Sequence, residues 1–133
     1  MALNKAYNQY KENSIFTSSP EDLTLMLYNG LIRFIMRAQA DINNSEIEKA
    51  NNSIIRAQDI VCYFQSTLDM KYEVSEGLDM IYDYMYRRLF TANIKKDKEI
   101  LEEVLGFAKE LRDTWAQAIK LAKQKKPHLV TQE

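Results

Sequence analysis

The stretch from Ser18 to Ile42 limits the possible folds more than any other part of the chain. Ser19 is an N-cap residue by type. Pro20 suits the first helical position, where no N–H is needed, and Asp22 completes a capping box with the serine. Wound at about 100° per residue, Leu23, Leu27, Leu31, Phe34 and Ala38 fall on one face of the resulting helix. Tyr28 and Ile35, then Leu25, Ile32 and Met36, carry the apolar arc round to roughly 200°, whereas one-sided packing needs about 100°. Asn29, Arg33 and Arg37 form the narrow polar strip that is left. Such a helix is either sandwiched at the centre of a bundle or offers a second apolar face to a partner.

The chain has 133 residues, which predicts one domain large enough to bury a core without metals or disulfides. A formal net charge of −1 gives no field of one sign to recruit nucleic acid or an anionic membrane. The lone Cys62 has no partner cysteine, and the first ten residues lack the apolar run of a signal peptide, so a cytoplasmic address is expected. No run approaches the ~20 apolar residues of a membrane span. Three glycines and two prolines punctuate little, which argues for an all-α fold.

In chain order, Leu3, Tyr7 and Tyr10 put a one-sided apolar stripe on a short helix within residues 1–17. Alone it is marginal, so it must dock as a mobile cap or fray. Ser45 and Glu48 suggest a second capping box, opening a helix from about Glu46 to Thr67. Its core stripe is Ile47, Ala50, Ile54, Ala57, Ile60, Val61, Phe64 and Leu68, which leaves Ile55, Cys62 and Tyr63 on other faces. A third helix runs from near Glu73 to Asn93. Val74, Leu78, Ile81, Tyr82, Met85, Leu89 and Ala92 face inward, while Met80, Tyr84 and Phe90 point elsewhere. Asn93 suits a left-handed C′ position and Asp97 the next N-cap. The last helix, about Lys98 to Lys123, is one-sided. Its dry face runs from Ile100 and Leu101 through Leu111 and Trp115 to Ile119 and Ala122, with Phe107 and Ala118 on the margin. Pro127 is expected to end it, leaving residues 124–133 as a frayed tail. These elements predict an antiparallel four-helix bundle with a short N-terminal capping helix. Period-two alternation, the mark of strands, is not sustained anywhere.

Catalytic chemistry is missing. The one histidine, His128, lies in the tail, and no Glu-x-x-His pair marks a di-iron bundle. Cys62 has no neighbouring ligand, and Gly30, Gly77 and Gly106 are single glycines within helical pattern rather than a phosphate loop. The glutamates of the last helix read as a solvated face, and Lys120, Lys123, Lys125 and Lys126 as a helix end compensating the dipole. No catalytic residue, metal site or cofactor site is expected, and the chain reads as no enzyme.

What remains is surface. The first three helices carry apolar residues beyond a core stripe, as expected if a groove receives an amphipathic partner helix; a homodimer interface would use the same excess. Met26, Met36, Met80 and Met85 would make such a groove adaptable. Ile32, Met36, Ile55, Cys62, Tyr63 and Phe90 are candidate groove residues by helical placement alone.

Four stretches then resemble the FliS family of flagellin-specific export chaperones: Tyr7 with Tyr10; Ser19 through Gly30; Tyr82 through Leu89 followed by Ala92, Asn93 and Ile94; and Leu111 through Trp115. Asp22 stands where the family commonly has Glu, which leaves the cap chemistry intact. The resemblance implies a cytoplasmic helical bundle that binds the disordered C-terminal segment of flagellin. It would block premature polymerisation and hand the subunit to the type III export gate, with other assembly factors as further partners. It adds Leu25, Tyr28 and Tyr84 to the candidate groove and makes Tyr7 and Tyr10 a cap that covers part of it. A self-associating bundle, dimeric without cargo, is the alternative.

Overall fold

The computed structural model describes residues 19–131. Four helices follow one another: α1 (Pro20–Asn43), α2 (Ile47–Thr67), α3 (Glu73–Lys95) and α4 (Lys98–Thr131). There is no strand among the described residues. The capping helix expected around Tyr7 and Tyr10 lies outside them.

The local chemistry of the ends fixes where the chain turns. Ser19 Oγ accepts from the Asp22 N–H at 3.2 Å and Asp22 Oδ2 accepts from the Ser19 N–H at 3.5 Å, the reciprocal box expected from sequence. The second box does not form. Ser45 instead takes a left-handed conformation, φ 58°, to turn the chain, so its hydroxyl cannot cap α2, which begins after Glu46. Asn93 likewise stays helical. Lys96, at φ 50° the first residue after α3, takes the left-handed position instead, and Asn93 Nδ2 donates to Asn51 Oδ1 across to α2. Asp97 caps α4 as expected, its Oδ1 accepting from the Glu99 and Ile100 N–H groups. Pro127 does not end α4, which continues to Thr131.

Short turns make consecutive helices antiparallel neighbours. α1 packs on α2 and α4, and α3 packs on α2 and α4, so the four stand at the corners of a square whose diagonals are bridged by side chains rather than by close backbone approach, as where Tyr28 of α1 meets Tyr82 of α3. Leu31, Ile35, Ile54, Ile60, Val61, Met85, Leu89, Leu101 and Val104 fill the centre, and Ala38, Ala50, Ala57, Ala92 and Ala108 are wholly buried. Three expected core positions are exposed: Ile47 and Val74, each in the first turn of its helix, and Ala122 in the second half of α4.

The square also accounts for most of the wide apolar arc of α1. A helix with a neighbour on each flank needs apolar residues towards both. Gly30 and Phe34 lie on the flank towards α2: a Cβ on Gly30 would meet Ile60, and Arg56 of α2 lies over the Phe34 ring. Tyr28, Ile32 and Gln39 lie on the flank towards α4, where Gln39 Nε2 donates to Glu102 Oε2 at 2.8 Å. Ile32 and Tyr28 are therefore core, each 5% exposed, rather than an outward second face.

Candidate partner-binding site

α4 is the longest rod, roughly 50 Å at 1.5 Å per residue, against about 36 Å for α1. Its inward stripe is nevertheless covered unevenly along its length. The stripe is fully buried from Ile100 to Ala108, but Leu111, Trp115 and Ile119 are only half-buried and Ala122 is exposed. Where this half of α4 passes the first turns of α3, the seam stands open as a groove of about 390 Å³. Val74, Leu78 and Ile81 form one wall, Phe107, Leu111, Trp115 and Ala118 the other, and Tyr28 of α1 lies at its base.

The base is rigid. The Phe64 ring stacks on Tyr28 at 4.3 Å between centroids and on Tyr82 at 5.7 Å, so three aromatics from three helices form one column. The hydroxyls of Tyr28 and Tyr82 meet at 2.6 Å and are each other's partner. Burial raises the pKa of both phenols, and for Tyr82 the bond to Tyr28 raises it further, so both stay neutral.

Polar clasps hold the two ends. At the α1 end, Trp115 Nε1–H donates to the Glu21 carbonyl at 3.0 Å. At the other, Glu103 of α4 accepts from Tyr84 Oη at 2.7 Å and from Arg88 Nε at 2.8 Å, while the Tyr84 ring stands edge-on to Phe107 at 5.8 Å. These bonds, Arg88 first, hold the Glu103 carboxyl below the usual carboxylate range.

A second apolar surface lies on the other flank of α3. The Asn51–Asn93 and Gln65–Asp79 hydrogen bonds set α2 and α3 in register. Helical spacing then places Ile47 and Ile55 of α2 on the same outer side as Phe90 and Ile94 of α3. All four are exposed, Phe90 at 56% and Ile94 at 69%. Large apolar side chains at this exposure, gathered in one place, mark an interaction surface better than any of them singly.

The sequence-derived candidates are thus dispersed. Ile55 and Phe90 share the α2–α3 surface, with exposed Cys62 farther along the same flank of α2. Partial burial and the Asp59 carboxylate raise the Cys62 thiol pKa, which disfavours the reactive thiolate. Tyr84 closes the groove and Tyr28 underlies it. Leu25 and Met36 lie on the α4 side of α1, half-buried and 50% exposed respectively. Ile32 is enclosed. Tyr63, half-buried beside Phe64 at 6.1 Å, faces away from the α3 flank. Helical periodicity assigned most of the groove walls to the core, because it registers which way a residue points and not whether a neighbouring helix reaches it.

Among the described residues, no group of three or more His, Cys, Asp or Glu side chains stands close enough to hold a metal ion. No helix among them is long and apolar enough to cross a membrane. The surfaces left over can bind apolar protein segments. Comparison with known proteins agrees. Residues 3–122 match the family model described as flagellar protein FliS. The chain is 45% identical over 119 residues to the flagellar secretion chaperone FliS of Bacillus subtilis, covering 90% of each chain. It is 33% identical to the Campylobacter jejuni protein of the same name, covering 86% of this chain and 91% of that one. The crystal structure of a flagellar chaperone from bacteria shares the fold at a TM-score of 0.71 and 18% identity, over 87% of this chain and 96% of that one. The chain therefore belongs to the FliS family of flagellar secretion chaperones, which are not enzymes.

Proposed function

We propose that this chain is a cytoplasmic chaperone for flagellin: it binds the disordered C-terminal segment of the newly made subunit, prevents premature polymerisation, and hands the subunit to the flagellar type III export apparatus. The observation that carries the reading is the open α3–α4 groove with its apolar walls, supported by the exposed α2–α3 surface on the other flank of the same helix. A segment folding into amphipathic helices would lay one of them in the groove and pass around α3 to a second contact at Ile55 and Phe90. Leu25, Met36, Cys62 and Tyr63 then lie at the margins of the path. Ile32 supports the groove from within rather than touching cargo.

Coupled folding and binding of this kind typically buries about 1,000–3,000 Å², and ordering the segment offsets several kcal/mol of the gain, which suits cargo that must be released. The N-terminal stretch bearing Tyr7 and Tyr10 acts as a placeholder over apolar surface until cargo arrives. Residues 2–13 should lose amide-exchange protection when a flagellin C-terminal peptide binds; equal protection with and without it refutes the placeholder. Calorimetric titration with flagellin that keeps or lacks its last ~40–50 residues, about two bundle helices, tests the cargo reading. Full-length flagellin binds and the truncated form does not; equal binding by both refutes it. The α2–α3 patch also gives the homodimer reading a surface, and a stable dimer whose mass is unmoved by the peptide would favour that reading instead.

A further inference from the structure

The chain has six arginines. Arg87 pairs with Asp83, Arg88 with Glu103 and Arg112 with Asp113. Arg33, Arg37 and Arg56 make no ion pair among the described residues, and all three are exposed on the outer side of α1 and α2. Two of them converge. The guanidinium carbons of Arg37 and Arg56, one from each helix, stand 5.7 and 5.8 Å from the centroid of the Phe34 ring. Lys49 joins them around a surface depression of about 470 Å³, whose remaining walls are Asp41, Asn52 and Ser53.

From this arrangement we infer that the α1–α2 face is a docking site for an acidic segment of a partner protein, whose carboxylates take the guanidinium forks of Arg37 and Arg56. The ring attracts both cations, and both also line the one depression, where like charges repel until an anion comes between them. The planar fork matches a carboxylate with two parallel N–H donors, a fit that a lysine does not offer. A polyphosphate or nucleic acid suits the site less well. Asp41 forms part of the wall and Asp59 follows one turn after Arg56, whereas phosphate backbones call for a broad, unbroken positive surface. Asp41 Oδ2 is also buried without a hydrogen-bond partner, and a peptide brings N–H donors that a polyphosphate lacks. In the square arrangement this seam lies across the bundle from the α3–α4 groove, so the two can be filled together. The inference does not rest on the identity of the cargo.

The test uses the full chain and a fluorescein-labelled hexaglutamate peptide, capped at both ends, read by anisotropy at low salt. The wild type should bind saturably. Arg37→Gln/Arg56→Gln should weaken binding about tenfold or more, as loss of two charge-assisted contacts does. Arg37→Lys/Arg56→Lys, which keeps the charge and loses the fork, should weaken it too, and Arg87→Gln on α3 should leave it unchanged. An oligothymidylate of similar charge should not displace the peptide. Failure of the wild type to bind, equal binding by the double Gln variant, equal loss in Arg87→Gln, or displacement by the oligonucleotide would each overturn the assignment.

Discussion

The hydroxyl pair beneath the groove allows a quantitative test of how the bundle centre is held. Tyr28 and Tyr82 are 5% and 3% exposed, and each hydroxyl has the other as its partner at 2.6 Å. Tyr28→Phe leaves the Tyr82 hydroxyl buried and unpaired, as does the converse change, and such an orphan costs roughly 1–3 kcal/mol. Tyr28→Phe/Tyr82→Phe removes both groups and leaves an apolar column on Phe64, which should cost about 1 kcal/mol or less. The double variant is therefore more stable than the sum of the singles implies, with a coupling on the order of 1–3 kcal/mol. Urea unfolding reads this directly: a 2 kcal/mol loss at a slope of about 1.5 kcal/mol/M moves the midpoint by roughly 1.3 M.

Alkaline pH supplies a second readout. Burial raises both phenol pKa values above the ordinary value near 10, so above pH 10 the unfolded chain has released protons that the folded chain still holds. Stability should then fall as pH rises past 10, by about 1.4 kcal/mol per pH unit for each tyrosine until its folded pKa is reached. This fall should be missing from the double Phe variant when the two proteins are compared at the same pH. Additive single losses, or identical alkaline profiles for wild type and double variant, would refute the buried hydroxyl pair.

Other positions give simpler outcomes. Gly30→Ala should stabilise by about 0.5–1 kcal/mol, because a Cβ there meets Ile60 Cδ1 at 3.7 Å, an ordinary contact, and mid-helix glycine is entropically unfavourable; a lowered melting temperature contradicts this. Ser19→Ala removes the capping box at the start of α1 and should cost about 1 kcal/mol in urea unfolding, with no change expected from Ser45→Ala, whose hydroxyl caps nothing. Phe90→Ser/Ile94→Ser should leave stability within about 0.5 kcal/mol, since both are largely exposed, while reducing binding of a hydrophobic fluorescent dye to the folded protein.

How far the sequence could be read follows from what periodicity measures. The four helices, the Ser19 box and the Asp97 cap were legible because each depends on neighbours a few residues away. Ser45 and Asn93 were misplaced because the geometry of a turn is settled by the two helices it joins: Lys96, not Asn93, bends the chain, which leaves the Asn93 side chain for Asn51. The wide arc of α1 was plain, but its meaning was not. One helix wheel cannot say whether the second flank faces solvent or another helix, and here Tyr28 and Ile32 are buried within the bundle, Tyr28 against Phe64 and Tyr82. The groove stayed hidden for the same reason in reverse: Val74, Leu111 and Trp115 carry core spacing, and only the assembled bundle shows that the α3–α4 seam is left partly open along them. Arg37 and Arg56 were visible as residues, but their meeting at Phe34 is a product of the α1–α2 packing.

The central claim is that the groove between α3 and α4 receives cargo, and its lips allow that to be tested without disturbing the fold. Val74 is 66% exposed and Ala118 is exposed, so Val74→Glu/Ala118→Glu should change unfolding free energy by no more than about 0.5–1 kcal/mol. Filling the groove would strip water from both carboxylates, a cost of at least 1–3 kcal/mol that weakens association roughly tenfold or more. Calorimetric titration of a flagellin C-terminal peptide into wild type and variant is the direct measurement: the account predicts tight binding by the first and at least tenfold weaker binding by an equally stable second, and equal affinities would contradict it.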